Sequence, residues 1–297
     1  MTPTRLSWQS KLVLLLVLPV VGSGLVLQVQ WWARESLPLT IWTLGLSLLL
    51  ALVTWKLRAA APAAALTGAA ITASLMFSTA VFPYQPWHTA LVPVLAVAVL
   101  AFSATRLGRA EKQRMGVAER HTGRTAAQVA ANLGVAAIAS TEFVQGWLLS
   151  HERFVRPTTL PMPMFVIALA ALAEAAADTV SSEVGQVFGG TPRMITTLRR
   201  AQPGVDGAIT LVGTLAGIVA AAIVAVAGTL ALNGDRPMAL IACAGAIFGL
   251  LFDSLLGATF ERLGWLNNDL VNFLSTASAS AFALAILALQ PHYSVLG

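Results

Sequence analysis

Three carboxylates, Glu174, Asp178 and Glu183, lie inside an apolar run from about residue 163 to residue 188. Such a run is long enough to cross a bilayer, which takes about 20 apolar residues. A charge at membrane depth costs about 2.5 kcal/mol or more, so acids placed there face protein or water and commonly serve a function. Glu174, Asp178 and the pair Ser181–Ser182 follow one another at three or four residues and share one helix face. Glu183 is five residues beyond Asp178, about 140° round the helix, and needs a different partner.

Two further acids stand at the ends of apolar runs: Asp253, and Asp269 with its neighbours Asn268 and Asn272. Mg²⁺ takes oxygen ligands, usually one or two protein carboxylates together with substrate phosphates. Asp178, Glu183, Asp253 and Asp269 are therefore candidate metal-binding and catalytic residues. The same acids also suit helix caps or arginine pairs. Arg193 and Arg199 are close to the carboxylates in sequence, and Arg106 and Arg124 are candidates to grip phosphate in the bidentate manner of guanidinium groups. Gln128 and Asn132 follow Arg124 at the start of an apolar run. The stretch Pro203-Gly204-Val205-Asp206-Gly207-Ala208-Ile209-Thr210 leads into another. Gly204 and Gly207 allow close backbone approach, and a helix start offers free N–H groups to an anion. No Gly-Lys-Ser/Thr ending is present, so this is not a Walker A loop.

The elements that must position these residues are membrane helices. Hydrophobic residues make up 57% of the 297 and charged residues only 10%, against about 25% charged in soluble domains. The apolar runs are continuous rather than alternating, which argues against a β-barrel. The expectation is an all-α, polytopic helical bundle forming a single integral-membrane domain over residues 1–297. About nine spans are expected, near 12–33, 38–56, 60–82, 87–106, 126–149, 163–188, 207–231, 237–258 and 271–290. The first has some features of a signal peptide, but its long core and poor cleavage signal favour a retained helix.

The loop holding Arg106, Arg109, Lys112, Arg114, Arg120 and Arg124 is cytoplasmic by the positive-inside rule. Alternation then places Arg5, Lys11, Lys56, Arg58, Arg193, Arg199, Arg200 and Arg262 inside as well. Arg34, Arg153, Arg156 and Arg236 fall outside, which leaves 14 of the 18 basic residues on the cytoplasmic side. The amino terminus is expected in the cytoplasm. The unusual polar residues gather at the same leaflet, and Glu142, deeper in the fifth span, has no evident partner.

Other chemistries find little support. His88, His121, His151 and His292 are scattered over both sides, so no zinc site is implied. Cys243 is the single cysteine, which rules out a disulfide within the chain and reads as a small core residue. The basic balance is explained by loop topology, and no nucleic-acid partner is expected.

The polar blocks, taken in order, resemble a known integral-membrane family, the one containing plant phytyl-phosphate kinase and eukaryotic transmembrane protein 19, long labelled a domain of unknown function. The matching blocks are Thr105-Arg106-Leu107-Gly108-Arg109, Gly123-Arg124 with Gln128 and Asn132, Ala177-Asp178-Thr179 with Ser182-Glu183-Val184-Gly185, Pro192-Arg193 through Gly213-Thr214, and Asp253-Ser254-Leu255-Leu256-Gly257 with Asn267-Asn268-Asp269 and Asn272. They cover residues 105 to 276. Val180 and Asp206 depart from the family pattern, which favours tryptophan and a small hydroxyl residue at those places. The resemblance implies a kinase that converts an isoprenyl monophosphate to the diphosphate. CTP or another nucleoside triphosphate would be the donor, with Mg²⁺ at the acids and phosphates on the arginines. The membrane would be an inner, cytoplasmic one, with the site facing the cytoplasm. Two other readings stay open: a related enzyme making a CDP-activated lipid, and a transporter using intramembrane carboxylates as ion sites.

Overall fold

The computed structural model describes residues 7–116, 123–150 and 165–289. They fold as a helical bundle: α1 (Trp8–Glu35), α2 (Leu37–Lys56), α3 (Pro62–Ser78), α4 (Leu91–Arg106), α5 (Arg109–Met115), α6 (Ala126–Ala139), α7 (Glu142–Ser150), α8 (Phe165–Phe188), α9 (Leu211–Ala231), α10 (Arg236–Leu256) and α11 (Asn268–Leu289). Between α8 and α9 a short antiparallel hairpin pairs β1 (Arg193–Met194) with β2 (Ala208–Ile209). A helix lies at each of the nine stretches expected from hydropathy. Among the described residues six helical stretches are long and apolar enough to cross a membrane, or up to eight if two bent pairs each count as one. The pairs are α4 with α5, bent by 60°, and α6 with the first part of α7, bent by 48°. The remaining stretch, α3, has 17 residues, about 25 Å at 1.5 Å per residue, which is less than the roughly 30 Å hydrocarbon core. Glu142 sits at the second bend and is not buried within the bundle.

The axis of the bundle is α8. Of its most apolar stretch 83% is buried, against 22% for α1 and 28% for α2. Alanines from Ala168 to Ala177 are almost wholly enclosed, and helices with such small faces approach closely in lipid. A Cβ added at Gly217 of α9 would stand 2.8 Å from the Ala177 carbonyl oxygen, which measures how tightly α8 and α9 cross.

The helix ends that the charge pattern assigns to the cytoplasm are bound to one another. Arg124 donates its backbone N–H to Ala59 O (3.0 Å), and Ala61 N–H donates to Arg124 O (3.0 Å). Arg106 Nη2 reaches Leu57 O at 2.7 Å. Lys112 of α5 reaches Glu183 at the end of α8. Gln9 and Ser10 of α1 reach Trp265 O and Asp269 beside α11. At the opposite end, His88 lies 3.0 Å from Ala231 O, and the Thr43 and Tyr84 hydroxyls share a hydrogen bond.

Candidate active site: a carboxylate-lined cavity beside an arginine-mouthed slot

The first cavity, about 260 Å³, is polar. Its walls are the last turns of α8 (Asp178, Ser181, Ser182, Gln186), the loop Pro203–Thr210, and the end of α10 (Asp253, Ser254, Gly257) with Glu261 and Asn268. Asp178, Asp253, Gly204, Gly207 and Asn268, nominated from sequence, thus meet in one place. Asp178 and Asp253 lie close enough for their carboxyls to interact, and both feel the carboxylate of Glu174, one helical turn before Asp178. Asp253 Oδ1 and Gln186 Oε1 are buried acceptors with no protein partner, as is Glu174 Oε1. Such atoms carry a desolvation cost unless a donor or a cation meets them.

The loop reaches this cavity through local geometry. Gly207 has φ +73°, and a Cβ there would come within 2.2 Å of the Ala258 backbone nitrogen. Only glycine lets the loop lie against the helix end at that point. From Gly257 to Glu261 the end of α10 widens into a π turn, an irregularity common at functional sites. Thr210 caps α9 by accepting from Gly213 N–H (3.0 Å). Asp206 is exposed but partly enclosed. Burial pushes its carboxyl above the ordinary aspartate range, and the Arg262 guanidinium opposes that shift.

Other nominated residues stand elsewhere. Glu183 is not in the cavity wall. It pairs at 2.5 Å with Lys112, whose side chain is 1% exposed and also donates to Ala104 O and Thr105 O. Its angular offset from Asp178 has this consequence. Asp269 accepts from Ser10 Oγ at 2.5 Å and ties α11 to α1. Asn272 donates to Asn132 Oδ1 (3.1 Å), and Asn132 donates to Gln128 O (3.0 Å). Gln128 also closes a capping box with Thr125 at the start of α6. Arg193 bonds Leu198 O within the exposed hairpin, and Arg199 is exposed; neither lines the cavity. Among the described residues no three His, Cys, Asp or Glu side chains converge tightly enough to hold a metal ion by themselves.

Sequence reasoning passed over Glu261, Gln186 and the partnership of Glu174 with both aspartates. Glu261 follows Asp253 by eight residues, and a helix carried through residue 261 instead of stopping at 258 would have shown it.

The second cavity, about 150 Å³, lies between α2, α3, α4 and α6. Its wall is mainly alanine, valine and leucine with Phe102, its uncharged polar members are Thr54, Thr72, Thr105 and Asn132, and Arg58, Arg106, Arg109 and Arg124 stand at one end. The two cavities adjoin: Arg124 Nη2 donates to Thr179 Oγ1 (3.1 Å), and its charge is felt at Asp178.

These features define a polytopic membrane bundle with a polar cavity at one end. Residues 45–280 match the family described as "integral membrane protein DUF92", and the chain belongs to that family. It is the family that the ordered polar blocks resemble. The chain is 47% identical over 108 residues to an uncharacterized membrane protein of Methanocaldococcus jannaschii, covering 36% of this chain and 45% of that one. It is 31% identical over 215 residues to an uncharacterized membrane protein of Synechocystis, covering 67% and 74%. To Protein VTE6, chloroplastic, of Arabidopsis thaliana it is 29% identical over 204 residues, covering 64% and 56%. The chain therefore spans about half the length of the archaeal and plant relatives. No solved structure matches.

Proposed function

We propose that the chain is a nucleoside-triphosphate-dependent isoprenyl-monophosphate kinase, working at the cytoplasmic leaflet with CTP as the expected donor. The likeness to the plant chloroplast protein, in a family the sequence blocks tie to phytyl-phosphate kinase, supports the substrate class. The observation that carries the reading is the polar cavity, where Asp178, Asp206, Asp253 and Glu261 line the wall with no lysine or arginine among them. A wall whose ionisable side chains are all acids disfavours a bare nucleotide and suits one that arrives with cations.

The donor set fits Mg²⁺. Asp178 and Asp253 offer carboxylate oxygens, one of them without a protein partner, and substrate phosphates would complete a shell that the protein alone does not supply. When bound, the ion would draw off charge on the transferring phosphoryl group. In the reaction an oxygen of the prenyl monophosphate attacks the terminal phosphorus of the nucleotide. The bond to the bridging oxygen breaks, and nucleoside diphosphate leaves. The attacking oxygen is already ionised, so no general base is required. The chain's own task is to hold two anions in line, with Gly204 and Gly207 letting backbone approach the donor and the arginines steadying the acceptor.

The test is purified protein with Mg²⁺, phytyl monophosphate and CTP or ATP, followed by mass spectrometry. Prenyl diphosphate with stoichiometric nucleoside diphosphate is expected. A CDP-lipid product, or no product across donors and prenyl lengths, defeats the proposal.

A further inference from the structure

We propose that the arginine-mouthed slot between α2, α3, α4 and α6 is the acceptor subsite, built for a lipid monophosphate with a single hydrocarbon tail. The inference rests on the kinase reading for its role in turnover, but its binding claim stands on the slot alone. Four observations carry it. The wall is mainly apolar and rich in small residues: Ala64, Ala65, Gly68 and Ala69 of α3 and Val97, Ala98 and Ala101 of α4 line it. Residues of four helices, α2, α3, α4 and α6, line it. Its cations lie at one end only, supplied by Arg58, Arg106, Arg109 and Arg124. Finally, Arg124 bonds Thr179, the neighbour of Asp178, so a phosphate held there would lie beside the carboxylate cavity.

The charge pattern selects the ligand. An apolar slot ending in several guanidinium groups fits a molecule with a hydrocarbon body and a compact dianionic head. A zwitterionic headgroup would gain less, and a free nucleotide would leave the apolar wall uncovered. The depth is readable too. The far wall includes Thr72 of α3 and Val94 of α4, and Val94 is twelve residues along α4 from Arg106 at the mouth, about 18 Å at 1.5 Å per residue. Gly68 stands midway. A Cβ there would meet only Val129 Cγ1, at 3.8 Å, so a larger side chain would occupy the slot without straining the backbone.

The experiment measures equilibrium binding of prenyl monophosphates to the full chain in nanodiscs, without nucleotide. Gly68→Leu is expected to weaken phytyl monophosphate binding by about tenfold or more, and dimethylallyl monophosphate binding much less. Arg106→Gln is expected to weaken every chain length and to narrow the preference for phytyl monophosphate over phytol. A prenyl monophosphate carrying a tail-end diazirine is expected to crosslink to residues 64–72 or 94–101. The inference is overturned by adducts confined to α9 or α10, by unchanged phytyl phosphate binding in Gly68→Leu, by equal binding of phytol, or by equal competition from phosphatidic acid. If binding behaves as expected while no nucleotide supports transfer, the slot stands and the kinase reading falls.

Discussion

The two cavities share one end of the bundle and differ in nearly everything else. One is walled by carboxylates and loop backbone, the other mainly by alanine, valine and leucine with guanidinium groups at its mouth. The first is assembled from α8, α10 and a glycine-bearing loop, the second from α2, α3, α4 and α6. Each is suited to what the other repels, a cation-bearing polar molecule in one and an anionic amphiphile in the other. Arg124, lining the slot and bonded to Thr179, is where they meet. On the proposed reading, two substrates of opposite solubility meet head to head without either crossing the other's territory.

The sharpest way to break this division is Asp253→Asn. It takes a carboxyl oxygen donor out of the carboxylate cavity alone, so transfer should fall by about a hundredfold or more, while lipid-phosphate binding stays within about twofold. Loss of both in a folded protein would mean the cavities are one site. The strut between them comes next. Lys112 anchors to α4 carbonyls beside the slot and pairs with Glu183 on α8. Lys112→Met leaves a largely buried carboxylate without its partner and should cost about 3–5 kcal/mol, measured by unfolding in mild detergent. Adding Glu183→Gln should recover most of that loss. If Lys112→Met melts like the parent chain, the strut contributes nothing.

A smaller effect is expected from Gly207→Ala. Strain at positive φ costs about 1–3 kcal/mol, and the new Cβ meets the Ala258 backbone. The loop should lift, nucleotide KM should rise, and lipid binding should not change. The smallest is a pH shift. Arg262 holds the raised Asp206 carboxyl partly in check. In Arg262→Gln that carboxyl should titrate at higher pH, so the acid fall-off of turnover should move upward, with binding in the slot unaffected. A fall-off that stays put would show that Asp206 does not need its charge.

Much of this arrangement is legible in the chain, and what is not has a physical reason. Asp178 and Asp253 are conspicuous because a carboxylate in an apolar run demands an explanation. The five-residue step to Glu183 already says that it points away, although Lys112 as its partner depends on the bend after Arg106 that sequence does not reveal. Asp269 looks like a site residue because its partner Ser10 is 259 positions away, and no local pattern reports such a pairing. Arg193 and Arg199 stand near the acids in sequence but belong to a hairpin that turns them outward. The slot leaves almost no trace, since alanines lining a cavity and alanines packing helices look alike in a sequence. Only Arg106, Arg124 and Asn132 stand out from it in the sequence, each by itself.

One contact has a bearing on how the chain is made. Gln9 and Ser10, in the opening turn of the first helix, bond to Trp265, Asn267 and Asp269 at the threshold of the last. At about 5–20 residues per second of synthesis, the ribosome must run for more than ten seconds before that clasp has its second half. During that wait the opening turn of α1 has none of those partners, so the clasp closes only after α11 has been made.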